Sequence, residues 1–383
     1  MKTRAAILLE MGRPRPYADS RPVVVDELDL DGPGYGEVLV ELRAAGICHS
    51  DLSVVDGSRP RPTPMVLGHE AAGIVRETGP GVVGLQPGDH VVFTFVPMCG
   101  RCTFCTSGRP ALCELGNAAN ARGELLRGGR RFRRHGQPVH HHLGVSAFSQ
   151  FTVAAEESLI KIDPDIPFEI AAVFGCAVMT GVGAVVNTAR VEPGTSVAVF
   201  GLGGVGLAAV LGAVAAGAYP VVAVDVLPGK LEHARALGAT HTVNALETDA
   251  VEAVRDLTGG GADYAIEAAG NAEVLAQAYR ATRRGGTTVT VGLPHPDALL
   301  SIPAVTVTAE ERVLRGSYMG SAVPRRDLPR FLRLFRAGRL PVDRLITHRI
   351  ALDEINEGFD RLAEGQAVRQ VVLPHAGGSA GQA

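Results

Sequence analysis

The run Val197–Asp225, VAVFGLGGVGLAAVLGAVAAGAYPVVAVD, leaves a chain few ways to fold. Val197–Phe200 is short, apolar and partly β-branched, as a buried parallel strand requires. Gly201-Leu202-Gly203-Gly204-Val205-Gly206 then supplies G-x-G-x-x-G where a strand hands over to a helix, and Asp225 closes a second strand 19 residues after Gly206. In such a unit the glycines allow a tight turn, close backbone approach to a pyrophosphate and close helix–strand packing. Free N–H groups at the helix start, with the helix dipole, hold phosphate. An acid after the second strand accepts hydrogen bonds from the adenosine ribose and repels a 2′-phosphate, so the pattern points to NAD over NADP. No charged side chain lies between Val197 and Val224, and on length alone that stretch could cross a membrane. Five glycines in its first two-thirds, and Pro220, divide it into pieces that suit strand–helix–strand instead.

The chain of 383 residues is long enough for two domains, and 46% hydrophobic composition supplies two cores. A net charge of −3 gives no general attraction to nucleic acid or to an anionic membrane. The N-terminal MKTRAAILLEMG has an apolar run of five residues followed by Glu10, shorter than a signal-peptide core, so a cytoplasmic protein is expected. In a reducing compartment the six cysteines imply metal ligation or chemistry rather than disulfides.

Along the chain, Arg4–Leu9, Val23–Leu28 and Glu37–Ala45 read as antiparallel strands, as do pieces between 65 and 95, with a turn at Gln86-Pro87-Gly88-Asp89. From Cys99 to about His142 the pattern is loop-like and rich in Arg and Gly, and Val145–Val153 returns to strand. Beyond Ala177 strands and helices alternate, which implies a doubly wound parallel sheet. The helices fall near Lys230–Leu237, Asp249–Leu257 and Ala272–Arg283, and the strands near Thr242, Tyr264–Ala268 and Thr287–Val291. An amphipathic helix is expected at Leu328–Ala337 and a disordered tail over the last nine residues, HAGGSAGQA.

Cys99, Cys102, Cys105 and Cys113 lie in C-x2-C-x2-C-x7-C. Four thiolates in fifteen residues can wrap one tetrahedral zinc, and four protein ligands leave no open position, so the site would be structural. An iron–sulfur cluster competes, but Glu114 stands where that pattern has proline. The other cysteines are Cys48, in Gly46-Ile47-Cys48-His49-Ser50-Asp51, and Cys176, in Phe174-Gly175-Cys176; a histidine lies in Gly68-His69-Glu70. Spacing cannot join three ligands spread over 128 residues.

The combination resembles the zinc-dependent medium-chain alcohol dehydrogenase family over essentially the whole chain. His142-Leu143-Gly144-Val145-Ser146-Ala147-Phe148-Ser149 is similar to the class III branch of thiol-adduct formaldehyde dehydrogenases. The resemblance implies a GroES-like catalytic domain (1–177, with the structural zinc lobe), a Rossmann NAD-binding domain (178–320) and a C-terminal segment (321–383) returning to the first. It implies that Cys48, His69 and Cys176 hold a catalytic zinc. Ser50 would take the alcohol proton into a relay, Asp51 would orient the ligand histidine, and Glu70 would be an inner carboxylate able to approach the metal. His49 and Arg369 match positions at the coenzyme pyrophosphate, Thr180 one near the nicotinamide, and Lys230 one beside the adenosine ribose. Phe95 and Leu143 match pocket walls. Many members end the relay in a histidine three residues past the relay hydroxyl; here Ser53 stands there, which leaves water or His49 as the exit.

Between Asn117 and His142 lie Arg122, Arg127, Arg130, Arg131, Arg133, Arg134 and several histidines, against the single acid Glu124. A solvated surface loop is the first reading, and a site for an anionic substrate tail or partner the second; nucleic acid is not expected, since no matching basic surface or stacking motif accompanies the loop. The function expected is NAD-dependent interconversion of a primary alcohol, aromatic or aliphatic, and its aldehyde. A thiol-dependent formaldehyde dehydrogenase is the alternative, and a non-catalytic NAD-binding sensor the alternative from another class. A homodimer is expected, with a homotetramer the other possibility.

Overall fold

The structure, a computed structural model, describes residues 1–377; residues 378–383, most of the expected tail, lie outside the described residues. The chain divides into two compact units. The first comprises Met1–Cys176, Val323–Leu328 and the chain from Ile346 on; the second comprises Ala177–Ala322 and Pro329–Leu345. The segment expected to return whole from 321 is therefore shared, because residues 329–345 pack with the second unit.

The first unit is built of β-structure. Strands Lys2–Leu8, Val23–Leu30, Phe132–Arg134, Gln137–His141 and Met65–Val66 close a small barrel. A second sheet runs in the order Leu159–Ile162, His90–Phe93, Glu70–Thr78, Glu37–Ile47, Arg369–Leu373, Ile346–Ala351, with Phe151–Ala155 also paired to Glu37–Ile47. Its core is the alternating inward set of these strands, Val38, Val40, Leu42, Ala71, Val75 and Val91 among them, packed under Phe148 and Phe359. The register positions the site. Gly46 pairs with Glu70 and Ile47 with Gln370, so the chain ends carrying Cys48, His69 and Arg369 emerge side by side.

Two expectations for this unit are corrected. The stretch 99–142 is no loop: helix Glu114–Arg122 and the hairpin Phe132–Arg134/Gln137–His141 lie within it, and the hairpin completes the barrel. The strand expected at Val145–Val153 begins only at Phe151, because Leu143 and Ser146 take left-handed φ values of 52° and 54° and fold 142–149 into turns.

The second unit is a six-stranded, all-parallel sheet in the order His241–Asn244, Val221–Asp225, Val197–Phe200, Ala262–Glu267, Thr282–Thr290, Val313–Gly316. Numbered along this unit the order is 3-2-1-4-5-6, and the direction of winding reverses beside Val197–Phe200. The uncharged run is explained by burial: both strands are fully buried, and helix Gly204–Ala215 is covered on nearly every side. Helix Met179–Gly183 packs on it so closely that a Cβ on Gly181 would stand 2.3 Å from Val205 O. Among the described residues, Phe168–Ala189 is the one helical stretch long and apolar enough to cross a membrane, and it is mostly buried within the protein, as a core helix is.

Candidate metal centres and dinucleotide turn

The four sulfurs of Cys99, Cys102, Cys105 and Cys113 lie within 4.8 Å of one another. Cys99 Sγ and Cys105 Sγ are 4.0 Å apart, as are Cys102 Sγ and Cys113 Sγ. A zinc–sulfur distance of ~2.3 Å requires tetrahedral edges of about 3.8 Å, so the set fits one zinc. The lobe holds its thiolates with backbone: Cys99 N and Gly116 N donate to Cys113 Sγ, and Cys102 N donates to Cys99 Sγ, each at 3.4 Å. The Cys102 thiol is held down at about 6, first by the Cys105 N–H and then by that of Glu114.

The second cluster is Cys48, His69 and Cys176, all buried, with ligand atoms again within 4.8 Å. Cys48 caps helix His49–Val55, and His69 directly precedes strand Glu70–Thr78. Cys176 lies in the π-helical turn Phe174–Val178, a local widening that often marks a functional position. Gly175 lets that turn reach the sheet, since a Cβ there would sit 2.4 Å from Phe93 O. Two thiols and an imidazole make a three-ligand set that leaves a fourth position open. The neighbouring Cys176 thiol pushes Cys48 well down, and Cys48 with burial pushes Cys176 well up.

Asp51 holds this cluster together. It is fully buried; Oδ2 accepts from Cys48 N at 3.1 Å, and Oδ1 accepts from Gly68 N at 3.1 Å and faces His69 Nδ1 at 3.0 Å. One carboxylate thus ties both ligand-bearing segments and fixes the His69 proton on Nδ1, which leaves Nε2 for a metal. Burial pushes the Asp51 carboxyl up, but His69 and His142 outweigh it and hold it near 2. Burial likewise opposes charge on His69, and Asp51 then Cys48 raise it well above the ordinary imidazole value.

Glu70 and Arg369 form a buried ion pair at 2.6 Å beside Cys48. Arg369 Nη1 also donates to Ile47 O at 2.9 Å, so the guanidinium expected at a pyrophosphate is held by protein through both terminal nitrogens. Burial raises the Glu70 carboxyl to about 7 against the pull of Arg369, and its Oε1 has no partner. His49 is exposed and Ser50 half-buried on the first turn of the helix that Cys48 caps, while Ser53 Oγ donates back to His49 O at 2.8 Å. Phe95 stands edge-on to the His69 ring at 5.7 Å, and Leu143 is buried next in sequence to His142.

The sequence reading missed His142 and Asn120. His142 is 1% exposed, edge-on to His69 at 5.5 Å, with Nδ1 3.1 Å from Asp51 Oδ1. Asn120 is buried and donates to Phe95 O at 2.7 Å. Neither carries a spacing signal: His142 is delivered by barrel strand Gln137–His141 and Asn120 by helix Glu114–Arg122. The arginine-rich run is also not a free cationic surface. Arg122 and Arg130 pair with Glu124, Arg127 with Glu157, Arg131 with Glu37, Arg133 with Asp31 and Arg134 with Asp26. Apart from Glu124, the acids come from segments far away in sequence, which a local count of charge does not see. Arg61, half-buried, has one hydrogen bond, a long one to Asn120 O at 3.5 Å, and no carboxylate within ion-pair distance among the described residues.

In the second unit the turn after Val197–Phe200 has the shape a dinucleotide needs. A Cβ on Gly201 (φ 86°) would meet Ala269 N at 2.7 Å, and one on Gly206 would meet Gly201 O at 1.8 Å. A Cβ on Gly203 would meet nothing within 4 Å: that face opens on free space at the start of helix Gly204–Ala215, where a pyrophosphate would lie. Asp225 ends its strand and accepts from Leu202 N at 2.6 Å, Val226 N at 2.8 Å and Leu227 N at 3.0 Å, which fixes the carboxylate beside the turn. Lys230 is half-buried on helix Pro228–Ala236, and Thr180 is buried on Met179–Gly183.

Comparison with known proteins agrees with this geometry. The pattern of the family described as "Alcohol dehydrogenase GroES-like domain" matches residues 34–164, and that described as "Zinc-binding dehydrogenase" matches 204–337. The chain is 39% identical over 386 residues to "Alcohol dehydrogenase class-3" of Cereibacter sphaeroides, spanning 97% of this chain and all of that protein. It is 40% identical over 384 residues to "S-(hydroxymethyl)glutathione dehydrogenase" of Paracoccus denitrificans, with the same coverage. The solved benzyl alcohol dehydrogenase of Acinetobacter calcoaceticus superposes with a TM-score of 0.91 at 33% identity, covering 97% of this chain and 99% of that one.

Proposed function

The chain belongs to the zinc-dependent medium-chain alcohol dehydrogenase family, in its class III-like branch, as an NAD-dependent oxidoreductase with zinc as its metal, and from that premise we propose its substrate and the work of its residues. The reaction is hydride transfer between a hydroxymethyl carbon and NAD. The observation that carries it is the convergence of Cys48, His69 and Cys176, three buried ligands with a fourth position free. When bound there, zinc supplies a Lewis acid that lowers the pKa of a carbinol and polarises the aldehyde, and NAD accepts the hydride. Asp51 keeps the His69 tautomer and aims its Nε2. Ser50 Oγ takes the carbinol proton and passes it on through water or His49, since Ser53 is engaged with its own helix. Phe95 and Leu143 exclude water from the reacting carbon. Glu70, paired with Arg369, would be the inner carboxylate available to a bound metal should a ligand leave it. Gly201, Gly203, Gly204, Val205 and Gly206 seat the pyrophosphate, Asp225 and Lys230 the adenosine ribose, Thr180 the nicotinamide, and His49 with Arg369 the outer phosphate charge.

The first substrate reading is the S-(hydroxymethyl) adduct of a thiol. The names of the relatives at 39–40% identity support it over the free primary alcohol expected from sequence. A free primary alcohol, aromatic above all, is the second reading. It is favoured by the paired arginines of 122–134, which take away the one cationic stretch that could have held a charged thiol carrier, and by the likeness to a benzyl alcohol dehydrogenase. Under the first reading Arg61, with no carboxylate partner, is the cation that receives the carrier. NAD reduction with formaldehyde plus a thiol, and with benzyl and linear alcohols, tests this. The first reading expects turnover of formaldehyde only when a thiol is present, and about a tenfold rise in KM for an acidic adduct in Arg61→Ala, on the scale of a lost charge-assisted hydrogen bond. Fast benzyl alcohol oxidation without any thiol response would overturn it in favour of the second.

A homodimer and a cytoplasmic location complete the proposal. Edge strand Val313–Gly316 is paired on one side only, with Leu314, Leu299 and Val305 exposed, a surface that suits a second copy. None of the six cysteines is in a disulfide, in keeping with a reducing compartment. Light scattering at micromolar concentration should give twice the chain mass; a four-chain mass would point to the tetramer.

A further inference from the structure

We propose that His142 is a positioning residue for the metal ligand His69, acting through the carboxylate the two share. His142 Nδ1 lies 3.1 Å from Asp51 Oδ1, the atom that faces His69 Nδ1 at 3.0 Å. The two atoms are in contact without hydrogen-bond geometry, and Nδ1 of His142 is buried with no hydrogen-bond partner in the protein. Both rings are within 2% of complete burial, and they meet edge-on, centroids 5.5 Å apart at 87°. The strand Gln137–His141 delivers His142 to this place, and His142 N is fastened by Ser146 Oγ at 3.0 Å.

The physics of a buried carboxylate makes the arrangement consequential. Asp51 Oδ1 already accepts from Gly68 N–H and faces His69 Nδ1, so a third polar nitrogen at 3.1 Å competes for the negative charge that polarises His69. A phenyl ring would fill the space and supply no donor. An asparagine can offer an N–H close to the position of Nδ1 with less bulk.

This inference rests on Cys48, His69 and Cys176 holding one zinc. The test therefore measures zinc per chain, the rate at which each zinc leaves to a chelator, and the visible spectrum after cobalt replaces the buried zinc, all on the full-length protein. The wild type should hold two zinc ions; a value of one in wild type would mean that the metal assignment itself fails, separately from His142. In His142→Phe the buried zinc should leave about 10–100-fold faster, the scale for loss of a group that supports a ligand. The four-cysteine zinc should be unchanged, which also shows that the variant folds. His142→Asn should recover to within about threefold of wild type and restore the cobalt spectrum. Wild-type release and an unshifted spectrum in His142→Phe would overturn the proposal. So would an Asn variant as impaired as Phe, because ring packing rather than the shared carboxylate would then be responsible.

Discussion

The two cysteine clusters use the same chemistry and are built in opposite ways. The lobe takes its four sulfurs from fifteen consecutive residues, leaves three of them half-exposed, and steadies them with backbone N–H groups. The other draws three ligands from segments 128 residues apart, buries all of them, and steadies them with side chains: Asp51, Glu70, Arg369 and His142. A local set needs little beyond its own loop, so its metal supplies the fold of that loop. A dispersed set exists only once the sheet register is made, so the fold supplies the metal site. The first arrangement is closed and inert; the second keeps a position free and a shaped surround.

The sharpest way to break the comparison is to remove one ligand from each cluster. Cys176→Ala should lower kcat by at least about 10³-fold, on the scale of a metal's electrostatic contribution, and leave thermal unfolding within a few degrees. Cys105→Ala should do the reverse in kind: the lobe should become protease-sensitive between 99 and 122, with a larger loss of stability than of kcat per folded molecule. Equal effects on kcat and stability in both variants would erase the distinction.

Asp51→Asn comes next. It keeps the shape and removes the charge, and zinc affinity at the buried cluster should fall about 10–100-fold while the lobe is untouched. Measurement of metal content after dialysis against a chelator checks it.

The smallest effects are expected in the arginine run that lies between the clusters in sequence. Arg131 pairs with Glu37, whose side chain is 2% exposed and keeps a hydrogen bond from Gly34 N at 2.8 Å, and Arg131→Ala should cost about 1.5 kcal/mol, the scale of one lost hydrogen bond to a charged group. Arg134 pairs with the partly exposed Asp26, and Arg134→Ala should cost under about 1 kcal/mol. The Arg134 hydrogen bond lowers the Asp26 pKa, against slight burial. The pair's contribution is then complete above the unfolded carboxyl value near ~3.9, and is lost as pH falls through the lower folded value. Denaturant titrations at pH 7 and pH 3 should show the Arg134→Ala difference shrinking at the lower pH.

The same contrast explains what could be read in advance. The four-cysteine lobe and the turn at Gly201–Gly206 are legible because ligand or glycine spacing is local, and the alternation of strand and helix after Ala177 follows the same logic. Cys48, His69 and Cys176 could be grouped only through family resemblance, since nothing in 128 residues of sequence states that Gly46 will pair with Glu70. His142 was hidden within a histidine run whose local character, polar and arginine-rich, pointed to solvent. Barrel closure buried His141 and His142 instead, and burial holds the His141 imidazole down at about 3. The arginines looked unpaired because Glu37, Asp31, Asp26 and Glu157 lie far away in sequence and reach them only across the barrel and the adjoining sheet.

The account stands on two zinc ions doing different work at two sites. Zinc per chain, measured alongside NAD reduction in wild type, Cys176→Ala and Cys105→Ala, tests it most directly. The prediction is two zinc in wild type, one in each variant, with turnover lost on removal of the buried ligand and retained by the folded fraction of the lobe variant. Two zinc retained in Cys176→Ala, or full turnover in a chain holding only the lobe's metal, would contradict it.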